Sequence, residues 1–316
     1  MTERVAKINE IDICYETFGD REARPLLLVM GLGGQMIWWD DDFCRQLTER
    51  GFFVIRFDNR DAGHSSRVAG RSHPVKAYVL RSSPYTLEDM ADDAAGLLEA
   101  LAVPSAHVVG VSMGGMIAQL LAIRHPSRVR SLTSIMSTTG GRLVGWTSLR
   151  ASLAMLSRRP ADRDGSIESM VRMFRMIRSP AYSFDEARMR TRAERTFDRG
   201  INPSGVARHL AACLAARDRS PQLRKLRIPA LVIHGTADPL VHVSGGRATA
   251  EAIPGAELDL VAGMGHDLPR DLWPRVVDGI ARTAARAEVS PAAAPEERRV
   301  RLDGAVAKAS ATPDEN

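Results

Sequence analysis

Apolar residues recur along this chain in two rhythms. Near the start, Ile11, Ile13 and Tyr15 alternate with polar neighbours, the period of a strand with one covered face, which predicts an antiparallel strand at a sheet edge. Farther on, apolar residues come in short unbroken runs. Leu26-Leu27-Leu28-Val29-Met30 ends at Gly31, Phe53-Val54-Ile55 precedes Asp58, His107-Val108-Val109 precedes Gly110, and Leu231-Val232-Ile233 precedes His234. Such runs suit parallel strands buried on both faces. Helical patterns lie between them. Thr86-Leu87-Glu88-Asp89 reads as a capped start, followed by Met90, Ala94, Leu97, Leu98 and Leu101 at helical spacing. Asp40, Asp41 and Asp42 open another helix, where carboxylates favour the positive end of the macrodipole. Strands alternating with helices predict an α/β fold with a doubly wound, mostly parallel sheet. Ligands on such sheets bind beyond the carboxyl ends of the strands.

The alternation breaks in the middle of the chain. Residues 137–227 are rich in Arg and Met, with helical patches such as Met170, Met173, Phe174 and Ile177 and breakers at Pro160, Pro180 and Pro203. They read as a helical cap inserted over the strand ends, dividing the core into residues 1–136 and 228–287. Residues 288–316 are poor in large apolar side chains and rich in Ala, Pro and charge, which predicts a disordered tail.

Composition narrows the class. Of 316 residues, 44% are hydrophobic and 26% charged, as in a soluble globular protein with a sizeable core. No run approaches the roughly 18 apolar residues that span a bilayer, and the polar start lacks a leader pattern, so a cytoplasmic protein is expected. Cys14, Cys44 and Cys213 are too few and too scattered for a disulfide framework or a metal site, and read as buried thiols. The net charge of +5 conceals an asymmetry, because residues 142–227 alone hold 19 Lys and Arg against 8 Asp and Glu. No aromatic-studded basic motif accompanies that charge, so nucleic acid is not an expected partner. Arg188, Arg190, Arg192 and Arg195 cluster on what reads as one helix, with Met155, Met170, Met173, Met176 and Met189 in the same insertion. Two readings stand: a solvated helix face, or a surface that attracts anionic amphipathic esters or an anionic lipid surface.

The chemistry concentrates at strand ends. Gly110-Val111-Ser112-Met113-Gly114 is a Gly-x-Ser-x-Gly placed directly after a strand run and before a helical one. That context predicts a sharp turn holding Ser112 clear of the sheet as a nucleophile. A serine needs a base, and His266, in Gly263-Met264-Gly265-His266 after the last strand candidate, can return to the sheet top. His234 precedes the acid-bearing loop and reads as a support behind the reacting residues or as packing; His64, His73, His107, His125, His209 and His242 lack such a placement. Asp238, in Gly235-Thr236-Ala237-Asp238-Pro239, supplies a carboxylate to orient the histidine. The alternative position for the acid, Ser137-Thr138-Thr139-Gly140-Gly141, has none. Gly31-Leu32-Gly33-Gly34 offers a loop whose main chain can approach an oxyanion. Leu32 and Met113 are the expected donors, with Gly33 as the fallback, and Gly31, Gly33 and Trp38 are expected to border the substrate. No Gly-Lys-Ser/Thr follows, which argues against a phosphate loop. Asp58-Asn59-Arg60-Asp61 reads as a hydrogen-bonded turn beneath the site.

Together these segments resemble the α/β-hydrolase superfamily over about residues 5–285. Val29-Met30-Gly31, Phe57-Asp58-Asn59-Arg60-Asp61, His107 to Gly114 and Gly263-Met264-Gly265-His266 are similar to bacterial carboxylesterases near aclacinomycin methylesterase. The resemblance implies hydrolysis of a small-molecule carboxylic ester through an acyl-enzyme, without cofactor. The insertion has no confident match, so methyl-ester or polyketide specificity is not carried over; a lipid or polyketide ester remains in view. A C–C bond hydrolase or cofactor-free perhydrolase would use a similar triad, and a ligand sensor could keep the fold without the chemistry. The oligomeric state is left open.

Overall fold

A computed structural model of the chain describes residues 2–149, 151–152, 160 and 162–289. Each apolar run becomes a strand in a set of eight: β1 (Arg4–Ile8), β2 (Ile11–Phe18), β3 (Arg24–Val29), β4 (Phe52–Phe57), β5 (Ala106–Val111), β6 (Val129–Ile135), β7 (Ala230–Gly235) and β8 (Glu257–Val261). They form one eight-stranded sheet in the order β1-β2-β4-β3-β5-β6-β7-β8. β1 with β2 and β2 with β4 are antiparallel, and the other neighbours are parallel. The doubly wound α/β sheet expected from the runs is therefore present. The alternating opening segment is not its edge, however. β2 lies inside a hairpin, and the edge belongs to β1, whose sequence RVAKI is too short and too polar to announce a strand.

Successive residues of the central strands feed two cores, one on each sheet face. Leu27, Val29 and Ile55 pack with Met90, Leu97 and Ile117 on one side. Leu26, Leu28 and Val54 pack with Phe43 and Trp273 on the other. Among the helices, α1 (Asp41–Glu49) is capped by the Asp40 side chain, as the acidic run predicts. α2 (Pro74–Leu80) was not anticipated. α3 (Leu87–Ala100) begins with a capping box between Thr86 and Asp89, which satisfies two backbone donors reciprocally. α4 (Met113–Arg124) follows β5 without a connecting loop.

Between β6 and β7 the described residues form helices at Arg163–Ile177, Glu186–Asp198, Pro203–Ala215 and Ser220–Leu223. Ion pairs bind them to the turn after β4. Arg199 reaches Asp58 across 2.8 Å, and Arg208 reaches Asp61 across 2.7 Å. Both carboxylates are buried, so removing one partner would strand the other, at a cost of about 3–5 kcal/mol. The last helix, Trp273–Val289, passes through Glu288, where the tail was expected to begin. Residues 290–316 lie outside the described residues, as does Met155. No described helix is long and apolar enough to cross a membrane.

The chain winds one way from β3 to β4 and the other way from β5 onward, so the direction reverses between β3 and β5. That crevice is where open α/β sheets bind ligands. Leu32 follows one of these strands and Ser112 the other.

Candidate active site

Ser112 occupies the turn from β5 into α4 with φ 55° and ψ −122°, a left-handed conformation that costs a non-glycine residue. Its neighbours must be small. A Cβ on Gly110 would lie 2.1 Å from the Gly114 carbonyl oxygen, and one on Gly114 would lie 2.2 Å from that of Val29. The Ser112 amide donates to the Ile135 carbonyl at 2.9 Å, and the Ser137 hydroxyl donates to the Ser112 carbonyl at 2.7 Å. The loop that lacks a carboxylate thus braces the turn instead.

The three side chains expected to act together meet. His266 Nε2 lies 2.9 Å from Ser112 Oγ, and His266 Nδ1 lies 2.7 Å from Asp238 Oδ2. Asp238 Oδ1 accepts from the amides of Leu240 at 2.8 Å and Val241 at 2.9 Å. Burial alone would push the Asp238 carboxyl upward, but the facing His266 ring and the Val241 amide outweigh it and hold it below the usual range. An ionised Asp238 requires the ring proton on Nδ1, which leaves Nε2 free to accept the serine proton. His234 is buried below, donating from Nε2 to the Val241 carbonyl at 2.8 Å and 3.6 Å from Asp238.

Around the serine, Leu32 N and Met113 N have no protein acceptor among the described residues. Gly31 backs directly onto Ser112, its Cβ position 3.2 Å from that of the serine. Gly33 corrects an expectation. Its N–H donates to His209 Nδ1 at 3.0 Å, so it is not available as the fallback oxyanion donor. His209 in turn donates from Nε2 to the Arg60 carbonyl at 2.7 Å, and burial holds its pKa below the ordinary value.

The histidine loop is gripped by residues from the inserted helices. His266 N donates to the Ile177 carbonyl at 2.8 Å, and Gly265 N donates to Ser179 Oγ at 2.9 Å. Ser179 N donates to Asp267 Oδ1 at 2.8 Å, and burial raises that carboxyl. Neither Ser179 nor His209 stands out in the sequence, because each acts on a loop distant along the chain.

A cavity of about 830 Å³ opens over Ser112 and His266. Trp38 stacks on Phe174 along its wall, ring centroids 4.5 Å apart, with Met170, Met173 and Met189 beside them. The clustered arginines divide between two sides of their helix, Arg188 and Arg192 at this wall and Arg190 and Arg195 toward solvent. Arg188 and Arg192 both donate to Asp40, and Arg190 pairs with Glu168 at 2.7 Å. The turn after β4 is likewise saturated: Asp58 accepts from Met36 N at 2.6 Å and from Arg199, and Asp61 from Arg208 and Tyr85.

Spacing along the chain gave no metal set, yet folding brings ligand atoms of Glu3, Cys14 and His64 within 4.8 Å of one another. Arg199 already occupies Glu3 at 2.8 Å, and burial pushes the Cys14 thiol far above its ordinary range, away from the thiolate a metal requires. The cluster is a hydrogen-bonded anchor for the N-terminal segment. Cys14 and Cys44 are buried free thiols, and Cys213 is half-buried.

Comparison with known proteins places this geometry in company. A family model described as the alpha/beta hydrolase fold matches residues 24–269. The chain is 30% identical to a rhodomycin D methylesterase of a Streptomyces species, over 85% of this chain and 93% of that protein. It is also 30% identical to a 2-hydroxy-6-oxononadienedioate/2-hydroxy-6-oxononatrienedioate hydrolase of Burkholderia vietnamiensis, over 81% of this chain and 85% of that one. The enol-lactonase structure from Burkholderia xenovorans superimposes with a TM-score of 0.68 at 24% identity, covering 91% of this chain and all of that one.

Proposed function

Because the chain belongs to the alpha/beta hydrolase fold family, we propose that it hydrolyses a carboxylic ester through an acyl-enzyme on Ser112. The observation that carries the reading is the relay from Ser112 Oγ through His266 to an ionised Asp238, with contacts of 2.9 and 2.7 Å. Ser112 Oγ attacks the ester carbonyl carbon as its proton passes to His266 Nε2. The oxyanion lies against the amides of Leu32 and Met113. Collapse breaks the ester C–O bond, and the imidazolium returns its proton to the departing alkoxide. Water then gives a proton to His266, attacks the acyl carbon and releases the acid, and Ser112 recovers its proton. Asp238 holds the imidazole and stabilises its charged form throughout.

Similarity to a methylesterase supports ester cleavage. The apolar wall of Trp38, Phe174 and three methionines suits a bulky, largely apolar acyl or alcohol part, such as a lipid or polyketide ester. Residues 137–227 act in this proposal as the cap that selects it, over a core of 1–136 and 228–287. Similarity to the Burkholderia vietnamiensis hydrolase supports a second reading, cleavage of a C–C bond by the same triad. The test is turnover of aryl and alkyl esters beside a vinylogous diketone. Esters should be preferred, and Ser112→Ala should lower turnover by about 10⁶. A diketone turned over faster than every ester would replace the first reading with the second. Activity surviving Ser112→Ala would remove both.

A further inference from the structure

Helix α2 presents its apolar side chains to water. It buries only Ala77, while Val75, Tyr78, Val79 and Leu80 are 62%, 47%, 63% and 67% exposed. The segment 142–149 does the same with Leu143, Trp146 and Leu149. The two segments touch, since Arg142 donates to the Tyr78 carbonyl at 3.2 Å and its guanidinium lies 4.8 Å from the centre of the Tyr78 ring. Among the described residues, seven of the ten large apolar side chains most open to solvent lie in these two segments. Single exposed leucines are ordinary, but a contiguous patch marks a surface that something covers. Tyr78, Arg142 and Trp146 also border the cavity, so the patch rims its mouth.

Charge indicates the occupant. Residues 62–87 contain Arg67, Arg71, Lys76 and Arg81 and no Asp or Glu, and residues 139–149 contain Arg142 and no Asp or Glu. This contrasts with the inner wall, where Arg188 and Arg192 both donate to the carboxylate of Asp40. We propose that this face rests on an anionic lipid surface, with α2 and residues 142–149 in the boundary between headgroups and acyl chains and the cavity mouth opening toward the lipid. Tyr and Trp favour that boundary, and Lys and Arg stems can lie along apolar surface while their charges reach the headgroups. A second copy of the chain fits less well. A twofold contact would set cations against cations, and it would stopper the cavity that must admit substrate.

The test is co-sedimentation of the full chain with vesicles of phosphatidylglycerol and phosphatidylcholine in equal parts, and with vesicles of phosphatidylcholine alone. Binding needs no turnover, so the outcome is independent of the proposed esterase chemistry. Binding to the anionic vesicles should be tighter by about tenfold or more and should weaken with salt. Val79→Ser/Leu80→Ser should lower it by a further order of magnitude, about, through loss of apolar insertion. Neither side chain borders the cavity, so turnover of a soluble ester and the thermal midpoint should be unchanged. Lys76→Glu, a fully external change, should reduce anionic binding alone. Absence of wild-type binding, or equal binding to both vesicle types, would overturn the proposal. A dimer in vesicle-free buffer that dissociates on Val79→Ser/Leu80→Ser would reassign the face to contact between copies.

Discussion

The amide of Gly33 donates to Nδ1 of His209 across 3.0 Å and 176 residues of chain. The same ring donates from Nε2 to the Arg60 carbonyl at 2.7 Å, which fixes the tautomer that makes Nδ1 an acceptor. A histidine from the Pro203–Ala215 helix therefore sets the loop that carries Leu32.

If that loop supplies an oxyanion donor, losing the acceptor should damage the transition state more than the bound substrate. His209→Leu is expected to lower kcat by about tenfold or more, approaching the roughly 10²–10³ that outright loss of a donor costs. KM should change little. His209→Asn, whose side-chain oxygen can still accept from Gly33, should restore most of the rate. Steady-state kinetics on both variants decides it: equal losses, or a change confined to KM, would reduce His209 to packing.

Ser179 makes a parallel case on the histidine loop. Its hydroxyl accepts from Gly265 N at 2.9 Å and donates to Asp267, and Ile177 accepts from His266 N. Ser179→Ala removes the acceptor for Gly265 and should let His266 drift from Ser112, costing about ten- to a hundredfold in kcat. Labelling of Ser112 by a phosphonate should slow in proportion. An unchanged labelling rate would show that Ile177 alone holds the loop.

These contacts mark the boundary of what the sequence reveals. Ser112, Asp238 and His266 were legible because each follows a strand run, and the ends of parallel strands converge by construction. His209 and Ser179 were not, since a helix pattern such as Ala-Arg-His-Leu-Ala shows that a residue is buried and not which distant amide it meets. Helix α2 escaped notice for a different reason. Its apolar residues face water, so it lacks the one-sided pattern by which buried helices are recognised. The arginine cluster was visible on one helix, but its partner Asp40 stands some 150 residues earlier, so the apparent excess of charge at Arg188 and Arg192 is halved on folding.

Buried histidines predict how stability depends on pH. Burial lowers His107 from 6.5 to about 3 and also lowers His209 and His234. The folded chain keeps all three neutral in mild acid, whereas the unfolded chain takes up protons near the ordinary value. Below about pH 6.5 the unfolded state thus binds more protons, and stability must fall as pH falls. Carboxyls such as Asp40, Asp61 and Asp238, held below 3.8, contribute their loss only in stronger acid. The unfolding free energy from urea titration should therefore be level above pH 7 and drop between pH 6.5 and 4.5, by about 1.4 kcal/mol per pH unit at most for each histidine. A free energy flat across that window would mean that the rings protonate in place.

Asp40 offers the sharpest control over what the cavity accepts. Its carboxylate receives both Arg188 and Arg192, borders the cavity, and caps α1 by accepting from Asp42 N at 2.9 Å. With half of the charge of the two guanidiniums offset by Asp40, the wall should discriminate only modestly between an anionic ester and a neutral one of the same shape. Their ratio of kcat/KM values should then vary little with salt. Asp40→Asn removes the counter-charge while keeping a good N-cap, since Asn and Asp serve that position about equally. It should raise the ratio of anionic to neutral ester several-fold and make it fall with salt, as screening over about 8–10 Å requires. Arg190 provides the contrast, because it pairs with Glu168 on the outer side and is not among the residues that border the cavity. Arg190→Glu should leave the ratio unchanged. An Asp40→Asn enzyme with wild-type discrimination, at low and high salt alike, would show that Arg188 and Arg192 do not face the bound ester.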